Sequence, residues 1–165
     1  MPLTLSHTGI CVTDLARSIR FYEQVLGAVV LDRVDLTAKM PPDYRGLLEI
    51  PEDTHATCTF LGVNGRLMEL LHYLDDSGEP DFSGPGERRP MNQLGLTHLS
   101  FRTPDRAEFE AVIERVREHG GKVVEESRFI IPDRNGHRID VVFCTDPDGT
   151  RLEFMLSPDA HQIQQ

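Results

Sequence analysis

This chain carries the same pattern twice, and that duplication limits its possible folds more than any other feature of the sequence. His7 stands seven residues before Asp14, and His98 stands seven residues before Asp105. Each aspartate follows a segment with strand character and opens a segment whose apolar residues recur at helical spacing. The sequence therefore predicts two copies of one structural unit.

The first copy predicts the order β-α-β-β-β. Strand-like residues run from Leu5 to Val12, and Asp14 is placed to cap a helix that Gly27 ends. Three further strands are expected after this helix, at residues 28–34, 55–63 and 66–73. The last two flank Asn64-Gly65, a strong signal for a two-residue hairpin with a type I′ turn. The proline-containing stretch before this hairpin, residues 37–46, is too irregular for a regular element.

The second copy predicts the same order. Its helix begins at Asp105 and ends at Gly120 and Gly121, with an apolar stripe formed by Phe109, Val112, Ile113 and Val116. Its four strands are expected at residues 94–103, 122–130, 138–145 and 150–156, with a turn at Asn135-Gly136. The expected fold class is α+β, with two βαβββ modules in tandem. The modules occupy residues 1–74 and 96–165, joined by a linker at 75–95 that is rich in glycine, proline and charge.

Each copy also places a glutamate inside its apolar last strand. Glu69 stands four residues after Gly65 in NGRLMELL, and Glu153 stands four residues after Gly149 in DGTRLEF. A carboxylate surrounded by core residues requires a partner, because burying an unpaired charge costs far more than a neighbouring leucine contributes. The duplicated glutamate therefore indicates a binding site.

Four side chains can form that site if the two sheets curl toward a common centre. They are the histidine near the start of each first strand and the glutamate of each last strand: His7, Glu69, His98 and Glu153. Two neutral imidazoles and two carboxylates cancel the charge of one divalent cation, which removes the cost of burying the carboxylates. Nitrogen and oxygen donors without thiolate suit Fe(II), Co, Ni, Zn, Mn or Mg. The other histidines are expected on the surface: His55, His72, His119, His137 and His161.

Composition narrows the classes of partner. The net charge of -10, from 17 basic and 27 acidic residues, argues against nucleic acids and anionic lipid as partners. The amino terminus has neither a cationic nor an apolar leader region, and no apolar stretch approaches the length of a membrane span. A cytoplasmic protein with small-molecule partners is expected. Cys11, Cys58 and Cys144 lack zinc-type spacing and are expected to be buried, reduced thiols.

Taken together, these segments resemble the vicinal oxygen chelate superfamily, which includes glyoxalase I, methylmalonyl-CoA epimerase, bleomycin resistance proteins and extradiol dioxygenases. The similar segments are LSHTGICVTDLARSIRFYEQVLG, RLMELLHY, LTHLSFRT and DPDGTRLEFM, which together cover nearly the whole chain. The resemblance implies that the two βαβββ modules form a half-open barrel around a metal site. It assigns metal-ligand roles to His7, Glu69, His98 and Glu153.

The number of ligands implied by this resemblance favours a glyoxalase or epimerase. Dioxygenases of the superfamily resemble a pattern of two histidines and one carboxylate, whereas Glu69 supplies a fourth ligand here. The expected reaction is proton transfer at a carbon α to a carbonyl, by a metal-dependent lyase or isomerase acting on a substrate chelated through vicinal oxygens. Glu153 is the first candidate for the catalytic base and Glu69 the second, and Glu49 is an outside candidate.

Two other functions stay open at this point. One is an iron-dependent extradiol-type dioxygenase, which requires open positions for both catechol oxygens and for O₂. The other is a metal-free resistance protein that sequesters a ligand in its cavity. A homodimer is expected in each case, and the site is built either within one chain or across the dimer.

Overall fold

The computed structural model of the chain describes residues 3–36, 54–81, 91–92, 94–132, 136 and 138–157. The chain divides into two compact units, Met1–Pro85 and Gly86–Gln165. The irregular stretch predicted at 37–46, together with Glu49, Asn135, His137 and His161, lies outside the described residues. Each unit contains one βαβββ module, so the predicted α+β class and the order of elements are confirmed.

The first unit has one helix and a four-stranded mixed sheet. Its elements are β1 (His7–Cys11), α1 (Leu15–Leu26), β2 (Val29–Asp35), β3 (His55–Val63) and β4 (Arg66–Leu74). The strand order is β1-β4-β3-β2, in which β1 runs parallel to β4 and the other neighbours are antiparallel. The first strand of the module therefore lies beside the last one.

The second unit repeats this arrangement. Its elements are β5 (Leu99–Thr103), α2 (Arg106–Glu118), β6 (Lys122–Pro132), β7 (Arg138–Thr145) and β8 (Arg151–Leu156). The strand order is β5-β8-β7-β6, and again the first strand is parallel to the last. Strand β5 is shorter than the predicted strand at 94–103, so His98 immediately precedes it.

Local signals produce the helix ends and the hairpin. Asp14 has extended backbone geometry and accepts a hydrogen bond from the Arg17 amide, and Gly27 ends the helix in the left-handed region with φ 66°. Asn64 and Gly65 both have positive φ, 47° and 75°, as a type I′ turn requires. These three sequence predictions are confirmed.

The cap of α2 provides a test of this local analysis. The Asp105 carboxylate accepts hydrogen bonds from the amides of Ala107 and Glu108. Asp105→Ala is therefore expected to lower the free energy of unfolding by about 1 kcal/mol, measured by urea denaturation. Asp105→Asn retains a capping oxygen and is the matched control. A loss as large in Asp105→Asn as in Asp105→Ala would contradict this role for the cap.

The two faces of each sheet have different environments. On β4, Met68 and Leu70 are buried on the face against which α1 packs, whereas Glu69 and Leu71 point to the opposite face. In the second unit, α2 buries the predicted stripe of Phe109, Val112, Ile113 and Val116. Each glutamate therefore lies on the sheet face away from its helix, which we call the open face.

The prediction of three buried thiols is wrong for one of them. Cys58 and Cys144 are buried, but Cys11 is exposed. Cys11 belongs to β1, the edge strand of its sheet, where fewer neighbours cover the side chains. Among the described residues, no helix is long and apolar enough to span a membrane.

Candidate metal centre

In the first unit, the strand register brings His7 and Glu69 together on the open face. Gly9 of β1 is the partner of Glu69 on β4, and His7 precedes Gly9 by two residues, so both side chains point to the same side of the sheet. Nε2 of His7 lies 3.4 Å from Oε2 of Glu69. A Cβ placed on Gly9 would lie 3.5 Å from that same oxygen.

Two further side chains orient the His7 ring. The Ser6 hydroxyl lies 3.1 Å from Nδ1, so the other ring nitrogen, Nε2, is the one that faces Glu69. Phe60 is the partner of Glu69 across the β3–β4 ladder and contacts the imidazole edge-on, with ring centroids 5.9 Å apart. The ring therefore has a polar contact on one nitrogen and an aromatic contact at its side.

The second unit repeats the pair in the same register. Ser100 of β5 is the partner of Glu153 on β8, and His98 precedes Ser100 by two residues. Nε2 of His98 lies 3.5 Å from Oε2 of Glu153. The two pairs agree in register, in the atoms that face each other and in their separation to within 0.1 Å.

The supporting contacts are duplicated as well. The Thr97 hydroxyl lies 2.9 Å from Nδ1 of His98. It corresponds to the Ser6 hydroxyl, which lies 3.1 Å from Nδ1 of His7 in the first unit. Phe143 is the partner of Glu153 on β7 and contacts the His98 ring edge-on, with centroids 5.4 Å apart. Each unit thus contains the same hydroxyl–imidazole–carboxylate series beside a phenylalanine ring.

The spacing within each pair fits two ligands of one ion better than a hydrogen bond. Separations of 3.4 and 3.5 Å are longer than a well-formed N–H···O bond. Two donors about 2.1 Å from one cation are about 3.0 to 3.5 Å apart for ligand–metal–ligand angles of roughly 90° to 110°. The donor atoms and their separation therefore fit the metal expected from the sequence.

Burial of the carboxylates points the same way. The Glu69 and Glu153 side chains are only 15% and 16% exposed, while their histidine partners are more accessible. A neutral imidazole does not neutralise a carboxylate, so a bound cation would offset the cost of this burial. Because the His7 and His98 side chains are 40% and 27% exposed, an ion from solvent could reach each pair through its histidine.

Each unit by itself supplies two of the four expected ligands. Within the parts of the chain that the structure describes, no group of three or more histidine, cysteine, aspartate or glutamate side chains is arranged to hold a metal ion. His7 and Glu69 form one pair and His98 and Glu153 the other. A site with all four ligands stays a prediction.

An apolar cluster lies beside the first pair. Cys58 belongs to it and is packed with Leu36 and Ala56, with Val34, Phe60, Leu71 and Tyr73 around them. Burial, followed by the negative charge of Glu69, raises the pKa of the Cys58 thiol to about 11. The thiol is therefore protonated near neutral pH.

Sequence reasoning missed the residues that support the predicted ligands. A hydroxyl residue precedes each histidine, and this duplicated feature was visible in SHTG and THLS. Phe60 and Phe143 lie nine and ten residues before their glutamates, so the unequal spacing concealed their correspondence. The position of Cys58, on the same sheet face as Glu69 and two residues before Phe60, leaves no signal in the sequence.

Comparison with known proteins places these features in a family. The model of the glyoxalase/bleomycin resistance protein/dioxygenase superfamily matches residues 4–154. A lactoylglutathione lyase of Neisseria meningitidis is 30% identical over 93% of this chain and 90% of its own length. This chain belongs to the glyoxalase/bleomycin resistance protein/dioxygenase superfamily, as its resemblance to the vicinal oxygen chelate proteins predicted.

Solved structures share the fold. A glyoxalase family protein from Bacillus cereus has a TM-score of 0.71 at 16% identity, covering 94% of both chains. A fosfomycin resistance protein variant from Listeria monocytogenes, solved with Mn(II), has a TM-score of 0.57 at 16% identity, covering 95% of this chain and 94% of its own. At these identities the comparison supports the fold and not a particular reaction.

Proposed function

We propose that this protein is a metal-dependent lyase or isomerase of the glyoxalase type, which transfers a proton at a carbon α to a carbonyl. The observation that carries the proposal is the duplicated pair of donors, with Nε2 and Oε2 3.4 and 3.5 Å apart in the two units. The similarity to lactoylglutathione lyase over most of the chain supports the same class of reaction. His7, Glu69, His98 and Glu153 are the proposed ligands of one divalent ion.

The hydroxyl contacts prepare both histidines for this role. A neutral imidazole that binds a metal through Nε2 carries its proton on Nδ1. In both units that nitrogen lies within hydrogen-bond distance of a hydroxyl oxygen, from Ser6 or from Thr97, which can accept the proton's hydrogen bond. The bound ion would act as a Lewis acid that stabilises the negative charge developing on the substrate oxygen.

Glu153 is the proposed base. Its carboxylate is mostly buried on the open face, and a base held within reach of the substrate needs no unusual proton affinity. Val141 and Met155 lie beside it on the same face of the second sheet, together with Arg151, which is 7% exposed and donates a hydrogen bond to the Thr97 carbonyl. Exclusion of water strengthens electrostatic interactions in such a place.

The proposed substrate is a small molecule with oxygens on adjacent carbons, such as a hemithioacetal of a 2-oxoaldehyde. Two oxygens on adjacent carbons can chelate a cation. The proton to be moved is on the carbon that bears the hydroxyl group and is bonded to the carbonyl carbon. The partly buried members of the apolar cluster in the first unit would contact the remainder of such a molecule, namely Val34, Phe60, Leu71 and Tyr73.

The test combines metal analysis with hydrogen exchange. Metal-stripped protein is loaded with Zn, Ni, Co, Mn or Mg, and the incorporation of solvent deuterium at the α-carbon of a hemithioacetal or an α-carbonyl thioester is followed by NMR. We expect exchange that depends on added metal, with one metal ion bound per site. Metal binding without exchange across the panel would contradict proton transfer, and oxygen uptake with a catechol after anaerobic iron loading would indicate a dioxygenase. Protein that binds no metal would contradict the proposal altogether.

A further inference from the structure

The two proposed metal-ligand pairs differ in one residue of the neighbouring strand, which lies diagonally across the ladder from the glutamate. In the first unit, Cys58 lies on β3 two residues before Phe60, the partner of Glu69, so it points to the open face beside Glu69. Its side chain is 1% exposed, and its thiol is a potential hydrogen-bond donor to the Glu69 carboxylate. Hydrogen bonds to an ionised acceptor are stronger than those between neutral groups.

The corresponding position in the second unit is a valine. Val141 lies two residues before Phe143, the partner of Glu153, and it is also 1% exposed. Valine is a small side chain that is well tolerated in a core, like cysteine, but it has no polar hydrogen that could donate a hydrogen bond. The neighbouring hydroxyl, Ser100, donates to the sulfur of Met155 at 3.4 Å, so this contact does not supply the missing hydrogen bond.

We propose that Cys58 is a positioning residue whose thiol donates a hydrogen bond to Glu69 and so fixes Glu69 as the permanent carboxylate ligand, whereas Glu153, with Val141 in the place of the thiol, is the carboxylate that can move. This inference rests on the proposed metal-dependent function and explains how two carboxylates from duplicated units acquire different tasks. The thiol occupies one side of the Glu69 carboxylate and limits its rotation. Glu153 has an apolar wall in the same place, so it can turn from the ion toward the substrate proton.

The first measurement is metal affinity, determined by titration of Zn²⁺ into metal-stripped protein. Cys58→Val gives the first unit the residue that the second unit has, and we expect the affinity for Zn²⁺ to fall by about 10-fold, as for other residues that support metal ligands. Cys58→Ser retains a donor and should keep most of the affinity. Equal affinities in wild type and Cys58→Val would overturn the inference, even though metal binding by the wild type would leave the proposed function intact.

The second measurement needs neither metal nor activity. The S–H stretching band of a thiol shifts to lower frequency when the thiol donates a hydrogen bond, and an infrared difference spectrum between wild type and Cys58→Val isolates the band of this residue. Glu69→Gln replaces the charged acceptor by a neutral one, so the band should move to higher frequency. An unchanged band would show that the thiol does not hold Glu69. This result requires no metal loading, so it is independent of how the protein binds metals.

The reciprocal variant tests the movable carboxylate. Val141→Cys supplies Glu153 with a donor like the one that Glu69 has, so it should bind Zn²⁺ at least as tightly as wild type and exchange the substrate proton more slowly. An exchange rate equal to that of wild type in Val141→Cys would mean that a thiol in this position does not restrict the carboxylate, which overturns the proposed division of tasks.

Discussion

Replacing Glu153 by glutamine is expected to lower the rate of proton transfer by about 10²- to 10⁴-fold at saturating metal, the range that a positioned general base contributes. Glutamine has nearly the same shape and can still place an oxygen near the ion, but it cannot accept the proton. The measurement is solvent deuterium incorporation into a hemithioacetal, with bound metal determined in the same samples. Circular dichroism should show an unchanged fold, because Glu153 points to the open face and not into the core beneath α2.

Glu69→Gln is the matched control for this experiment. It changes the same chemical group at the corresponding position of the other unit, where Glu69 is proposed to act as a ligand only. At saturating metal it should retain a larger share of the exchange rate than Glu153→Gln retains. If Glu69→Gln lost more of the rate, the base would belong to the first unit, and the assignment of this role to Glu153 would be wrong.

The second large effect is expected from His98→Ala. Residues that merely support a metal ligand are worth about 10- to 100-fold in metal affinity, so loss of a ligand should lower the affinity by more than about 100-fold. Purified wild type should therefore contain a stoichiometric amount of metal, and purified His98→Ala should not. Equilibrium dialysis followed by elemental analysis measures both quantities.

His55→Ala is the control for the loss of a histidine. His55 is exposed at the start of β3, and its Nε2 lies 3.4 Å from Oδ1 of Asp76, which is more exposed still. This position is five residues along β3 from Phe60, the partner of Glu69. Its removal should leave metal content and affinity unchanged. Retention of full metal content in His98→Ala would exclude His98 as a ligand and with it the four-ligand site. Absence of metal from the wild type as well would favour a protein that holds its ligand without a metal.

Duplication accounts for the logic of the proposed site. In the proposed site, the imidazole and carboxylate of one unit would leave a divalent cation half neutralised, and the pair from a second copy would supply the remaining charge. Both copies retain the residues that orient the ligands, namely Ser6 with Phe60 and Thr97 with Phe143. Cys58 and Val141 are where the copies differ, and that difference falls directly beside the ligands.

Local features made much of this architecture predictable. The helix ends at Asp14, Gly27 and Asp105 follow from side chains that hydrogen-bond neighbouring amides or from a left-handed backbone, which are interactions within a few residues of sequence. The Asn64-Gly65 turn fixes the register of β3 with β4 for the same reason. Given that register, alternation along the strand was enough to place Glu69 on the face opposite Leu70.

Long-range contacts decided the remainder. The sequence by itself determined the duplicated βαβββ order and the four candidate ligands. Periodicity, capping and turn chemistry depend on residues that are close together in the sequence. Only the tertiary structure set β1 beside β4 and β5 beside β8 and brought each imidazole to 3.4 or 3.5 Å from its carboxylate. It also exposed Cys11 and buried Cys58 on the sheet face that carries Glu69. These contacts join residues that are distant in the chain, so they depend on which strands become neighbours when the sheets assemble.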